Sequence, residues 1–160
     1  MIELIPINQR IYVDETGIDQ YLFRQHARSF RGEKVCGEIS GRKYKRVSIV
    51  AGKCGKEIVA PLEFDGTADH MLFEFWFKHC LLPVLSPGQV IIMDNATFHR
   101  KEVLTILAGY AACSVLFLPP YSPDLNPIEN FWAWLKHSLR SSLVSCGSLD
   151  DALMRCFQLV

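Results

Sequence analysis

The amino-acid sequence predicts an α/β fold, a mixed five-stranded sheet flanked by helices, as a single domain over residues 1–160. Three observations carry this. Val90-Ile91-Ile92-Met93 and Ser114-Val115-Leu116-Phe117-Leu118 are continuous apolar runs of strand length, apolar enough to be covered on both faces. Ile128, Phe131, Trp132, Leu135 and Leu139 recur at helical spacing as the stripe of an amphipathic helix. The elements follow the order strand, hairpin, helix, strand, helix, strand, helix, helix, which packs helices on a sheet. A chain of 160 residues suits one domain and buries well over half of its unfolded surface without a staple.

Taken in order, Ile11-Tyr12-Val13 reads as a short strand, with Asp14-Glu15-Thr16-Gly17 as its polar exit and turn. Residues 18–46 are less regular. They hold eight bases (Arg24, Arg28, Arg31, Lys34, Arg42, Lys43, Lys45 and Arg46) against three acids (Asp19, Glu33 and Glu38). Such clustering suits contact with DNA phosphates, although a solvated hairpin with ordinary surface charges accounts for it too. Val47-Ser48-Ile49-Val50-Ala51 and Glu57-Ile58-Val59-Ala60-Pro61-Leu62 read as a hairpin turning at Gly52 to Gly55.

Residues 69–82, rich in Leu, Phe and Trp, read as a helix apolar nearly all round, hence deeply buried or covered by a partner. Pro83 and Pro87-Gly88 end it. Asp94-Asn95-Ala96 closes the strand over Val90–Met93, residues 99–110 suit a helix, and Pro119-Pro120 stop the next strand. A last helix begins at Ser148, where Ser148-x-x-Asp151 resembles a capping box. The chain stops at Val160 inside that helix without a cap, so a truncated end is expected.

Bulk properties narrow the function little. Seventeen bases balance seventeen acids, so net charge points to no particular partner. Cys36, Cys54, Cys80, Cys113, Cys146 and Cys156 form no C-x-x-C pair, which excludes zinc-ribbon spacing, and they read as thiols of a reducing compartment. Met1-Ile2-Glu3-Leu4-Ile5-Pro6 is no signal peptide, and no apolar run approaches membrane-spanning length.

The acids say more. Asp14 and Asp94 each stand at the exit of an expected strand, where functional groups collect in open sheets. If the first and fourth strands are neighbours, the two carboxylates meet and repel, and one pKa rises unless a cation lies between them. A third carboxylate from a helix makes a hard, oxygen-rich site suited to magnesium or manganese. Glu129 is the candidate. Asn126-Pro127-Ile128-Glu129 is equally a sound helix start, with Asn as N-cap, Pro first and Glu third. Each acid has a sufficient local explanation, as cap or turn, and only their combination points to a metal.

Three segments carry a resemblance. Val13-Asp14-Glu15-Thr16-Gly17, Ile92-Met93-Asp94-Asn95-Ala96-Thr97-Phe98-His99 and Leu118-Pro119-Pro120-Tyr121-Ser122-Pro123-Asp124-Leu125-Asn126-Pro127-Ile128-Glu129-Asn130-Phe131-Trp132 resemble the three acidic motifs of the mariner-like superfamily of DDE transposases. The bacterial insertion-sequence branch is the most similar, and the thirty-four residues between Asp94 and Glu129 match its spacing. The likeness covers roughly residues 10–158.

The resemblance implies a ribonuclease-H-like fold and a DNA transposase that cuts element ends with water and transfers the freed 3′-hydroxyl into target DNA, at TA dinucleotides. It implies Asp14, Asp94 and Glu129 as catalytic ligands of two Mg2+ or Mn2+ ions, with Asp14 bridging the pair. It places Glu15, Asn95, His99 and Asn126 around them. Strand alternation turns Glu15 away from Asp14, leaving an outer or a structural role. Asn95 is expected to steady Asp94 or to cap the following helix. His99 is expected to orient the site, to contact DNA or to serve the structure alone. Tyr121, Ser122 and Asn126 are expected to shape the loop that presents Glu129, and Trp132 and Trp134 to be structural.

The implied partners are element-end and target DNA and a second copy of the chain, with residues 69–82 as a candidate contact; the implied location, for a bacterial protein, is the cytoplasm at the nucleoid. The family's N-terminal helix-turn-helix region has no room in the roughly ten residues before the first strand. DNA binding by this polypeptide is therefore expected to be weak, salt-sensitive and carried by residues 24–46. Two other readings keep the fold: a catalytically silent DNA-binding or assembly remnant, and an RNA–DNA hybrid nuclease that takes an extra carboxylate from Glu74.

Overall fold

A computed structural model describes residues 2–19, 46–120, 122–143, 146 and 148–158. These form strands β1 (Arg10–Asp19), β2 (Arg46–Cys54), β3 (Glu57–Asp65), β4 (Val90–Met93) and β5 (Ser114–Phe117). The helices are α1 (His70–Trp76), α2 (Lys101–Tyr110), α3 (Ile128–Ser142) and α4 (Leu149–Phe157). The element order is the expected one. The strands make one mixed sheet ordered β3-β2-β1-β4-β5, antiparallel from β3 to β1 and parallel from β1 to β5.

Strand alternation divides the core into two layers. Ile18, Val47, Ile49 and Ala51 face α3 and α4, meeting Ile128, Trp132, Leu135, Leu139, Leu149 and Leu153. Ile11, Val13, Val50, Ile91 and Met93 face the other way, onto Phe73, Trp76, Phe77, Leu81, Leu104 and Ala108. The stripe read from the sequence is buried throughout: Ile128, Phe131, Trp132, Leu135 and Leu139 are at most 7% exposed. Ser148 caps α4 as expected, its Oγ accepting from the Asp151 N–H at 3.1 Å.

Four local expectations are corrected. Gly17 is not in a turn: β1 runs on past Asp14 to Asp19, and Gly17 pairs with Ser48 of β2. The hairpin turns later than expected, at Gly55 and Lys56, with Gly55 at φ +57, while Gly52 pairs with Val59 inside the ladder. The helix over 69–82 is not deeply buried within the chain, which leaves cover by a partner as its other alternative. It continues past α1 as a π-helical turn (Phe77–Leu81) and a 3-10 turn (Leu82–Val84), and Met71 and Phe75 are 68% and 60% exposed. Asn126 does not cap α3 with its side chain.

Gly52 is needed for close approach. A Cβ there would lie 2.8 Å from Val59 Cγ2 and 3.1 Å from both Ile11 Cγ2 and Leu81 Cδ1. Beside it β3 bulges, with Ala60 at φ +49 and its carbonyl accepting from the Trp76 indole N–H at 2.7 Å. Pro61 follows at no cost to the ladder, because β3 is an edge strand. Gly52→Ala is expected to cost about 1–3 kcal/mol by overpacking, lowering the melting temperature by about 5 °C. A variant that melts with the parent would mean that Val59 and Leu81 give way freely.

Candidate active site

The site forms because β1 and β4 have unequal lengths. Their parallel ladder ends at Val13 opposite Met93. Asp14 and Asp94 are the next residue of each strand, so they stand side by side in register at the carboxyl end of β4. There β4 leaves the sheet, while β1 continues with only β2 as partner. Asp14 is therefore mid-strand rather than at a strand exit, rigidly held, while Asp94 begins a loop. That loop turns at once, with Asp94 Oδ1 accepting the Ala96 N–H at 3.2 Å.

α3 crosses the same face of β1. Its first turn carries Glu129, exposed to solvent, and its second carries Trp132, whose indole N–H donates to Asp14 Oδ2 at 3.0 Å. Asp14, Asp94 and Glu129 line one cleft of about 500 Å³, walled by Asn95, Thr97, Leu118, Pro119, Pro120, Ser122 and Asn126. None of the described residues that line it is basic.

Burial, reinforced by the charges of Glu129 and then Glu15, pushes the Asp14 carboxyl up to about 7. A hydrogen bond from the Glu15 backbone opposes the rise without cancelling it. The three acids share the cleft without already converging: among the described residues no three acidic, imidazole or thiol groups stand close enough to grip one ion. The donor set nonetheless fits a hard divalent cation. It is all carboxylate oxygen, and Asp14 is destabilised by negative charge that a cation would offset. Asn126 adds an orphaned acceptor beside it: its Nδ2 donates to the Val13 carbonyl at 3.3 Å, and its buried Oδ1 has no partner.

Glu15 points to the opposite face of β1, as alternation requires, and meets His99 there. The His99 side chain is 2% exposed and lies between two acids, Nε2 at 3.5 Å from Glu15 Oε1 and Nδ1 at 3.3 Å from Asp94 Oδ1. Its ring packs on Phe73 and Phe98, with centroids 4.3 Å away in both cases. These contacts fall short of hydrogen-bond geometry at both ring nitrogens. His99 thus links the two faces of the sheet end.

Asn95 lines the cleft and does not cap α2, which begins six residues later without any side-chain cap. Glu74 stays out of the cleft. Arg100 binds it through paired hydrogen bonds and holds its carboxyl below the ordinary range, which removes the extra carboxylate needed for the hybrid-nuclease reading. Trp134 is 38% exposed, its ring stacked on Phe131 at 5.7 Å.

Of the basic residues expected to meet DNA, Arg24, Arg28, Arg31, Lys34, Arg42, Lys43 and Lys45 lie outside the described residues, as does Tyr121. Arg46 opens β2 opposite Asp19. Cys54, Cys80, Cys113, Cys146 and Cys156 are free thiols, and Cys36 lies outside the described residues. The sequence reading missed the Trp132 contact. A buried indole N–H needs an acceptor, but a stripe position offers no hint of which one.

The strand order and the carboxylates gathered at the carboxyl end of β4, beside the middle of β1, define a ribonuclease-H-like domain. Comparison with solved structures agrees. A pre-cleavage Mos1 transpososome superposes with a TM-score of 0.67 at 14% identity, over 95% of this chain and 56% of that one. The Mos1 mariner paired-end complex with Mn gives 0.63 at 14% identity, over 98% and 54%. An uncharacterized protein of Sinorhizobium fredii, y4pE/y4sA, is 33% identical over 67 residues, 42% of this chain and 47% of that protein. The chain spans about half the length of these relatives. The DDE superfamily endonuclease family matches residues 9–149, and the chain belongs to that family.

Proposed function

We propose that this chain is the catalytic domain of a cut-and-paste DNA transposase, with Asp14, Asp94 and Glu129 as its catalytic acids. One observation carries the reading: three acids from β1, the loop after β4 and α3, far apart in sequence, line a single cleft on a ribonuclease-H-like sheet. Membership of an endonuclease family and the fold shared with Mos1 transpososomes support it.

Asp14, Asp94 and Glu129 are the residues that would hold two Mg2+ or Mn2+ ions. When bound, such ions supply Lewis acidity to the scissile phosphate and lower the pKa of water for attack. The protein contributes placement and polarity. β1 fixes Asp14 through its ladder to β2, so this carboxylate has little freedom. Asp94, with its side chain 52% exposed, and Glu129, on the first turn of α3, can close toward it. Leu118, Pro119 and Pro120 line the β5 side of the cleft with apolar surface. Asn126 Oδ1 offers an acceptor to a donor entering the cleft.

His99 and Glu15 position Asp94 from the far face of the sheet. His99→Ala is expected to lower metal-dependent cleavage about 10–100-fold, the range for partners that orient metal ligands. His99→Gln should restore part of that loss. Equal rates for the alanine variant and the parent would assign His99 to the core alone.

DNA is the substrate in this reading: element ends for cleavage and target DNA for strand transfer, with a second copy of the chain in the active complex. The test is cleavage of intact element ends and strand transfer of pre-cut ones with Mn2+, using Asp94→Ala as control. Metal-dependent product that the substitution abolishes supports the reading. A parent that binds DNA yet gives no product under any divalent ion would favour the silent remnant.

A further inference from the structure

We propose that Trp132 is a positioning residue for Asp14: its indole N–H occupies one carboxylate oxygen, opposes bidentate chelation by Asp14, and so favours small octahedral cations over calcium. The inference rests on the metal-binding reading above and deepens it.

The contact joins residues 118 positions apart, the Trp132 Nε1 donating to Asp14 Oδ2 at 3.0 Å. Trp132 is 1% exposed, packed in the layer between α3 and the sheet with its ring 5.1 Å from that of Phe131. A side chain so confined cannot swing its donor elsewhere. An indole N–H donates only, so it cannot reverse the bond as a hydroxyl could. It is also neutral. A lysine or arginine at this place would hold the carboxylate equally well but would repel a cation, whereas the indole orients Asp14 and leaves its negative charge in place.

Helix geometry ties this donor to the third acid. Trp132 follows Glu129 by three residues, so both lie on one face of α3. The helix that brings Glu129 to the cleft sets the Asp14 rotamer one turn later. The ion chemistry follows. Calcium takes six to eight oxygens and readily accepts both oxygens of one carboxylate, whereas magnesium demands a near-octahedral shell. Asp14 can chelate one ion through both oxygens only if the indole bond breaks or shifts to the outer lone pair of Oδ2, and a buried indole N–H resists losing its acceptor.

The test is calorimetric titration of the whole chain with Mn2+ and with Ca2+, in the parent, Asp14→Asn and Trp132→Phe. Phenylalanine removes the donor and keeps an aromatic ring in the layer, at the cost of a small cavity. The expected result is Mn2+ binding by the parent that Asp14→Asn abolishes, and about 10-fold weaker Mn2+ binding by Trp132→Phe, with calcium affected less, so that the preference for Mn2+ falls. If the parent binds no Mn2+, or Asp14→Asn binds as the parent does, the metal reading falls and this inference with it. If both ions weaken equally in Trp132→Phe, or neither changes, the metal reading stands and the role of Trp132 is overturned.

A second measurement needs no variant that must fold. The indole 1H–15N resonance of Trp132, assigned in the parent, should keep its protection from solvent exchange when Mg2+ is added. Loss of that protection on Mg2+ binding would overturn the proposal.

Discussion

Asp94→Ala is expected to slow metal-dependent strand cleavage about 10³-fold while leaving the fold intact. The size follows from the several kcal/mol that a bound ion contributes to phosphoryl chemistry, each 1.4 kcal/mol or so being tenfold in rate. The separation of rate from stability follows from where Asp94 sits. Its side chain is 52% exposed, and its described contacts are its own turn at Ala96 and the ring of His99. The first is a local turn and the second falls short of a hydrogen bond, so the melting temperature should move by no more than about 2 °C, as for other surface substitutions. Single-turnover cleavage of a labelled duplex in Mn2+, with thermal melts in parallel, measures both. Undiminished cleavage would remove Asp94 from the chemistry. A large loss of stability would mean that its contact with His99 holds more of the sheet end than the geometry implies.

In the metal-free protein, stability should fall as pH rises from about 4 to about 7, and Asp14→Asn should abolish the fall. The folded-state pKa of Asp14 is about 7 against 3.8 as the ordinary value, raised first by burial and then by Glu129 and Glu15. Between those limits the folded state keeps a proton that the unfolded state releases. Stability is therefore greatest below the unfolded pKa and is lost progressively up to the folded one. The full loss is on the order of 4 kcal/mol, so Asp14→Asn should raise the metal-free melting temperature at pH 8 by about 10 °C. Asparagine can still accept from the Trp132 N–H, which keeps the local packing.

Mn2+ should offset much of the pH effect in the parent. The cation displaces the proton from Asp14, so it stabilises more at pH 8 than at pH 5; at pH 8 an ion concentration about one hundred times the dissociation constant adds about 2.7 kcal/mol. Melting curves between pH 5 and 8, with and without Mn2+, decide the matter. A parent whose metal-free stability is flat over that range, or an Asp14→Asn variant that melts with it, would show that the carboxyl is not strained by its surroundings.

The candidate acids were legible before the fold because the three segments that carry them resemble the acidic motifs of a known family; local pattern alone left Asp14 as a turn acid and Glu129 as a helix cap. Their neighbours were less so. Asn126 looks like a cap in sequence because Asn before Pro begins a helix well; in the fold its amide is drawn to the Val13 carbonyl. Trp132 looks like any stripe residue, and its donor finds Asp14 only once α3 lies across β1. The apolar helix after residue 69 was read as deeply buried or covered by a partner; within the chain Met71 and Phe75 face outward because the sheet covers only one side of it, which excludes the first alternative.

Local pattern alone determined the order of the elements, the pairing of β2 with β3 as a hairpin, the continuous strands β4 and β5 and the buried stripe of α3. Each rests on the period of apolar residues over a few positions, a property that any short window of chain carries. Tertiary structure decided where β1 ends, that Glu15 meets His99 on its face of the sheet, and what holds Asp14. The physical reason is that a polar strand such as Asp14-Glu15-Thr16-Gly17 has no intrinsic preference to extend. It becomes a strand when β2 arrives to satisfy its backbone, and its carboxylate takes its character from a cleft whose other walls come from distant parts of the chain.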